Sequence, residues 1–180
     1  MKKVFFSIAF AAIAAACVSC GNKSAQKAES QDSVTVAEVQ PVETVAAAVA
    51  KTIDKAAYTI GMPEGWTAMS EGDTECLIYK GENLKVSEIM DATWVAMKVG
   101  ETDEKPLDDA IKEMVKEMGA KQLDDVTVDG TTYKQLSFTE DGVESRILIL
   151  GGEKPVSFTI TRATADDADV QAILKSFKLK

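Results

Sequence analysis

Hydrophobic and polar positions divide this chain into four regimes. Behind Met1-Lys2-Lys3, residues Val4 to Ala16 ("VFFSIAFAAIAAA") are almost wholly apolar. From Gly21 to about Gln40 the chain is polar, rich in Ser, Gln, Lys and Glu, and has no aromatic residue. In "PVETVAAAVAKTIDKAA", Val42, Val45, Val49 and Ile53 fall at helical spacing among alanines, and Pro41 suits a first turn. That pattern predicts a helix over 41–57. After Tyr58, β-branched residues, aromatics and turn signals arrive together, and a folded domain is expected over 57–180.

Within that domain, "AYTIGMPEGW" reads as a short strand ending at Pro63. "CLIYKG" and "LKVSEIM" flank Gly81-Glu82-Asn83 as a predicted hairpin, and "ATWVAMKVG" is a strand ended by Gly100. "PLDDAIKEMVKEMGA" is the clearest helix. Leu107, Ile111, Met114, Val115 and Met118 form one apolar stripe, Asp108 and Asp109 suit the positive end of the dipole, and Gly119 caps it. Turns at Asp129-Gly130, Asp141-Gly142 and Gly151-Gly152 then join four strands over about 124–162. Links this short connect only antiparallel neighbours, which gives a meander. "ILIL" is apolar on both faces, so its strand is central. Val156, Phe158 and Ile160 alternate with polar residues. "DDADVQAILKSFKLK" closes the chain as a helix with Val170, Ile173, Leu174 and Phe177 on one face and Asp166 or Asp167 as N-cap. The expected class is α+β: an antiparallel sheet with helices packed on it.

The apolar run behind Lys2 and Lys3 is too short to span a bilayer, which takes roughly 20 residues, and it matches a secretory signal. The run ends on "ACVSC", which resembles the lipobox of bacterial lipoproteins. There the signal peptidase cuts before a cysteine that carries a diacylglycerol, and small residues precede the cut. Cys20 follows Val18 and Ser19; Cys17 follows Ala15 and Ala16; neither has leucine three positions upstream. The polar "GNKS" starts directly after Cys20, which favours Cys20 as the lipid attachment residue over Cys17. Residues 1–19 are then a signal peptide and 20–56 a lipidated tether. A coil of its first 20 or so residues spans about 25 Å. The resemblance implies a bacterial cell envelope protein held in the outer membrane, facing the periplasm or the cell surface. Two or three acyl chains make such an anchor durable.

Charge and chemistry narrow the function. The net charge is −9, and losing Lys2 and Lys3 with the leader leaves 18 basic against 29 acidic residues, or −11. Such a surface repels nucleic acid. Histidine is absent, which removes the commonest general base and metal ligand. There is no Gly-x-Ser-x-Gly elbow and no phosphate-binding glycine loop. The acidic runs "ETDEKPLDD" and "ADDAD" lack calcium-loop spacing and sit where helices begin. Neither enzyme activity, nor a cofactor, nor a metal is expected. Cys76 in "CLIY" reads as a small buried hydrophobe, with a redox thiol as the alternative. Trp66, after a Pro-Glu-Gly turn, is the candidate interaction-surface residue, with packing over one end of the sheet as the alternative; Trp94, within a strand, reads as a core residue, with an exposed anchor as its alternative.

"YTIGMPEGW", with Pro63-x-Gly65-Trp66, and "ILKSFKL", with Ile173-Leu174-x-Ser176-Phe177, bracket strands around a middle helix and together resemble the PsbP-like and DcrB-like superfamily over residues 57–180. That superfamily includes bacterial envelope lipoproteins and a Ran-binding nuclear import factor. The resemblance implies an α/β/α sandwich around a central antiparallel sheet, and docking or accessory roles more than catalysis. The expected function is a membrane-anchored, non-catalytic interaction module that meets an envelope protein. The alternative is a carrier that binds an apolar small molecule or lipid between sheet and helices, with Met90, Met97, Met114 and Met118 as adaptable liners.

Overall fold

The computed structural model describes residues 47–101 and 106–180. The expected signal peptide over 1–19, Cys17, Cys20, the expected tether and helix up to residue 46, and part of "ETDEKPLDD" lie outside the described residues.

Two antiparallel sheets organise the domain. The smaller has the order β1 (Val49–Asp54), β2 (Tyr58–Pro63), β10 (Lys178–Leu179), with β2 in the middle. The larger has seven strands: β3 (Trp66–Glu71), β4 (Glu75–Lys80), β5 (Trp94–Val99), β9 (Val156–Thr161), β8 (Val143–Leu150), β7 (Thr131–Glu140) and β6 (Lys121–Val128), in that spatial order. Strands β6 to β9 form the meander expected from the turns, and β8 lies inside it between β7 and β9. At Asp129-Gly130 and Asp141-Gly142 both residues have positive φ, as the mirror-image hairpin turn requires. The class is α+β, built mostly on antiparallel sheet.

Side-chain alternation sorts the core. Along β5, Val95, Met97 and Val99 join the main cluster with Phe158, Leu148 and the α3 (Ala168–Ser176) residues Val170, Ile173 and Leu174. Trp94 and Ala96 join a separate cluster with Tyr79 and Ile89 of α1 (Val86–Ile89). Along β8, Ile147 and Ile149 instead pack with Ile111 of α2 (Leu107–Met118) and the rest of its stripe. Thus α3 lies on one face of the large sheet, and α1 and α2 lie on the other. A fully buried leucine such as Leu148 contributes about 2–5 kcal/mol against truncation to alanine. Phe158 packs edge-on against both Tyr133 and Phe177, with centroids 6.0 and 5.1 Å apart.

Both edge strands of the large sheet are interrupted. On β3 the pairing shifts between Ala68 and Ser70, and on β6 between Leu123 and Val126, where Asp124 and Asp125 interrupt the ladder. Bulges and charges of this kind oppose edge-to-edge pairing with another chain.

Two expectations are corrected. Residues Val49–Asp54 form a strand, not part of a helix over 41–57. Thr52 pairs with Gly61 and Ile53 with Ile60, and Ile53 is buried. Val49, Thr52 and Ile53 are β-branched, and the available ladder on β2 outweighs the helix preference of the alanines. The folded part therefore begins before residue 57. The predicted hairpin around Gly81-Glu82-Asn83 is absent too: β4 pairs with β3 and β5, and Val86–Ile89 is helical. Glu88 reaches back to accept the Lys85 amide at 2.7 Å, which caps the turn, and Leu84 folds over Gly81. The helix buries Ile89 and leaves Val86 and Met90 each 58% exposed.

Candidate functional site

The two stretches that carried the family resemblance meet in space. The Gly61 amide of β2 donates to the Ser176 hydroxyl at 2.7 Å, and that hydroxyl donates to the Ile173 carbonyl at 2.7 Å. Strand β10 pairs with β2 through Lys178 and Thr59 and through Leu179 and Tyr58. Trp66 donates its indole N–H to Asp169 at 3.0 Å, and Asp169 also pairs with Lys80 at 2.8 Å. Asp169 sits in the first turn of α3, where Asp167 caps the helix by accepting the amides of Asp169 and Val170. Partial burial pushes the Asp169 carboxyl up; the hydrogen bonds from Lys80 and Trp66 and the Lys80 charge outweigh it, and the net result is below the usual carboxylate value.

Trp66 is only 3% exposed and belongs to the main core cluster, so its ring is not itself a surface anchor. Trp94 is also buried. Cys76 is buried, and desolvation pushes its thiol up to about 11. Its neighbour Tyr58 is held above the ordinary phenol value, chiefly by burial, and its hydroxyl donates to the Gly72 and Glu75 carbonyls at 3.0 and 3.1 Å. The four methionines do not line one space. Met97 lies in the main core, Met114 and Met118 pack under α2, and Met90 faces solvent. Among the described residues no group of three metal-ligating side chains converges. Among the same residues no helix is long and apolar enough to cross a membrane.

Two clefts remain. One, of about 240 Å³, lies where the β6–β7 hairpin meets the end of α3. Val128, Tyr133, Leu150, Leu174, Phe177 and Leu179 make most of its wall, with Asp129 and Lys175 as its charged groups. Burial raises the Tyr133 phenol above its ordinary value. The other, of about 370 Å³, lies beside the β7–β8 turn and the end of β9. Gly142, Val143, Glu144, Arg146, Arg162 and Thr164 line it. Sequence reasoning passed over both. A signal for the second was present, since the strands either side of Gly151-Gly152 carry Arg146 and Arg162 toward the same end of one hairpin.

No protein-family model matches this chain, and no curated protein matches it. Among solved structures it is similar to a protein from Bacteroides thetaiotaomicron VPI-5482, with a TM-score of 0.47 and 16% identity over 71% of this chain and 47% of that one. It is also similar to the Ran-binding protein Mog1p of Saccharomyces cerevisiae, with a TM-score of 0.44 and 14% identity over 68% of this chain and 90% of that one. A mutant of the protein Mog1 gives a TM-score of 0.44 and 13% identity over 72% and 95% of the two chains. The chain spans about half the length of the Bacteroides protein.

Proposed function

We propose that this protein is a lipid-anchored envelope protein whose folded domain serves as a non-catalytic interaction module. The observation that carries the reading is the order of segments: a basic start, a short apolar run, "ACVSC", and a polar stretch ahead of the sheet domain. The domain adds a consistent feature. Asp169, with its lowered carboxyl, is held in structural contacts at an element junction, and Cys76, with its raised thiol, is held in the core. We place the anchor at Cys20, the location at the outer membrane, and the partner among envelope proteins. The layering of α3 on one sheet face and α1 and α2 on the other supports an α/β/α sandwich. The contact between "YTIGMPEGW" and "ILKSFKL" supports the relation to the PsbP-like and DcrB-like superfamily. The test is Cys20→Ala in cells, with membrane fractionation and the intact mass of the mature chain. Release into the soluble fraction and loss of the acyl mass are expected; a variant that stays on the membrane with its acyl mass overturns the assignment.

A second reading rests on the apolar cleft between sheet and α3. At about 240 Å³ it is below the roughly 300–1,000 Å³ of drug-sized ligand sites, so a carrier would hold only a small apolar group there. Native mass spectrometry of the full chain is the check. A non-covalent ligand that disappears on Phe177→Trp, which fills the cleft, supports a carrier; a bare protein mass refutes it.

A further inference from the structure

Arginine occurs twice in this acidic chain, at Arg146 and Arg162, and both residues line the same cleft. We propose that this cleft is a binding site for a small oxyanion, the carboxylate or phosphate group of a soluble ligand, with the two guanidinium groups as its recognition elements. Arginine presents a planar fork of donors that matches such oxygens in a way a lysine does not. Arg146 is mostly withdrawn from water: its side chain is 18% exposed, on an inner strand. A desolvated cation favours an anionic partner far more than a solvated one does.

Each arginine now faces one carboxylate, and an oxyanion must compete with both. Glu144 pairs with Arg146 at 2.9 Å and Asp91 pairs with Arg162 at 3.3 Å, and both carboxylates are largely exposed. The Arg162–Asp91 pair is exposed on both sides and contributes about 0–1 kcal/mol, whereas the less exposed Arg146 holds Glu144 more firmly, and an incoming oxyanion takes that place only as Glu144 swings out into water. The backbone supplies an independent sign. Arg162 has φ of 61°, a left-handed conformation that a long side chain adopts at a cost, directly after the last residue of β9. Such strain persists where the surrounding structure holds the residue for a purpose. Beneath this end of the sheet, the hydroxyls of Ser145 and Thr161 are buried and hydrogen-bonded to each other at 2.8 Å, which fixes β8 against β9.

The presence of only two arginines makes the test clean, because the full chain gives two arginine Nε–H signals by NMR. Inorganic phosphate and succinate are titrated at constant ionic strength, with chloride as the control. Saturable movement of both signals, with a Kd below about 1 mM for either probe, supports the site, and the tighter probe names the ligand class. Arg146→Gln or Arg162→Asn is expected to weaken binding about tenfold, and Lys112→Gln, outside the cleft, to leave it unchanged. Asparagine tolerates the left-handed conformation, so Arg162→Asn keeps the backbone. If a variant fails to fold, the wild-type shifts decide alone. Two signals that do not move with either probe, or binding that survives both substitutions, overturn the proposal.

Discussion

Gly61 and Ser176 lie 115 positions apart in the chain and 2.7 Å apart in the fold, joined by an amide-to-hydroxyl hydrogen bond. The contact fastens the middle strand of the small sheet to the last turn of α3. A Cβ at position 61 would sit 2.6 and 2.8 Å from the Val49 methyls and 2.9 Å from Ser176 Cβ. Gly61→Ala is therefore expected to destabilise the domain by about 1–3 kcal/mol through overpacking. Ser176→Ala removes the acceptor of a part-buried amide and is expected to cost about 1–2 kcal/mol. Urea denaturation of the two variants checks both values. An unchanged midpoint for Gly61→Ala would show that Val49 moves aside freely.

Asp169 ties β3, β4 and α3 together by accepting from Trp66 and pairing with Lys80. Its carboxyl titrates below the ordinary value of about 3.8, so the ionised form belongs to the folded state. The stabilisation is present above the unfolded-state pKa and is lost as pH falls through the lower folded-state value. Asp169→Asn is expected to cost about 1–2 kcal/mol near neutral pH. The Lys80 share is small because Lys80 is largely exposed. As pH falls through that lowered folded-state value, the gap between variant and wild type should close. Stability measured across pH 2–7 is the check, and a gap that is constant with pH would refute the linkage.

Cys76 is expected to behave as a core residue. With its thiol pushed up to about 11, roughly one molecule in 10⁴ is thiolate at pH 7, and the side chain is closed to reagents. Iodoacetamide labelling, followed on the Cys76 peptide by mass spectrometry, should stay near background in the native protein. It should rise in step with unfolding in urea. Fast native labelling would instead revive the redox alternative.

How much of this was legible beforehand depends on where each signal resided. The meander, α2 and α3 were readable because their cues are local: Asp-Gly turns with positive φ, the Leu107–Met118 stripe, Asp167 before Ala168. Strand β1 was not, because its spacing suits either state and its partner β2 decides the outcome. Helix α1 was misread as a strand because one turn of four residues shows no period, and the Lys85–Glu88 cap is its main local mark. Trp66 was readable as important and unreadable as buried, since its partner Asp169 arrives 103 residues later. The paired arginines needed only the meander's register, which sequence alone had nearly supplied.

The strand at Val49–Asp54 makes a prediction about where the folded unit starts. Ile53 is 3% exposed and pairs with Ile60, so β1 contributes a core side chain as well as a ladder. Lys180 adds a tie across the same region by donating to Asp54 and to the Lys55 carbonyl. Upstream, the Ala47 amide donates to the Ala168 carbonyl at the start of α3. A chain trimmed to begin at residue 57 should lose all of these and expose the edge of β2. It is expected to be less stable by several kcal/mol than one beginning at residue 47, since Ile53→Ala alone should cost about 2–5 kcal/mol. Thermal unfolding of the two truncations, with amide exchange on residues 49–54, gives the answer. Slow exchange at the amides that pair with β2 supports the strand. Equal stability of the two truncations would mean that β1 is an ornament on a domain that closes without it.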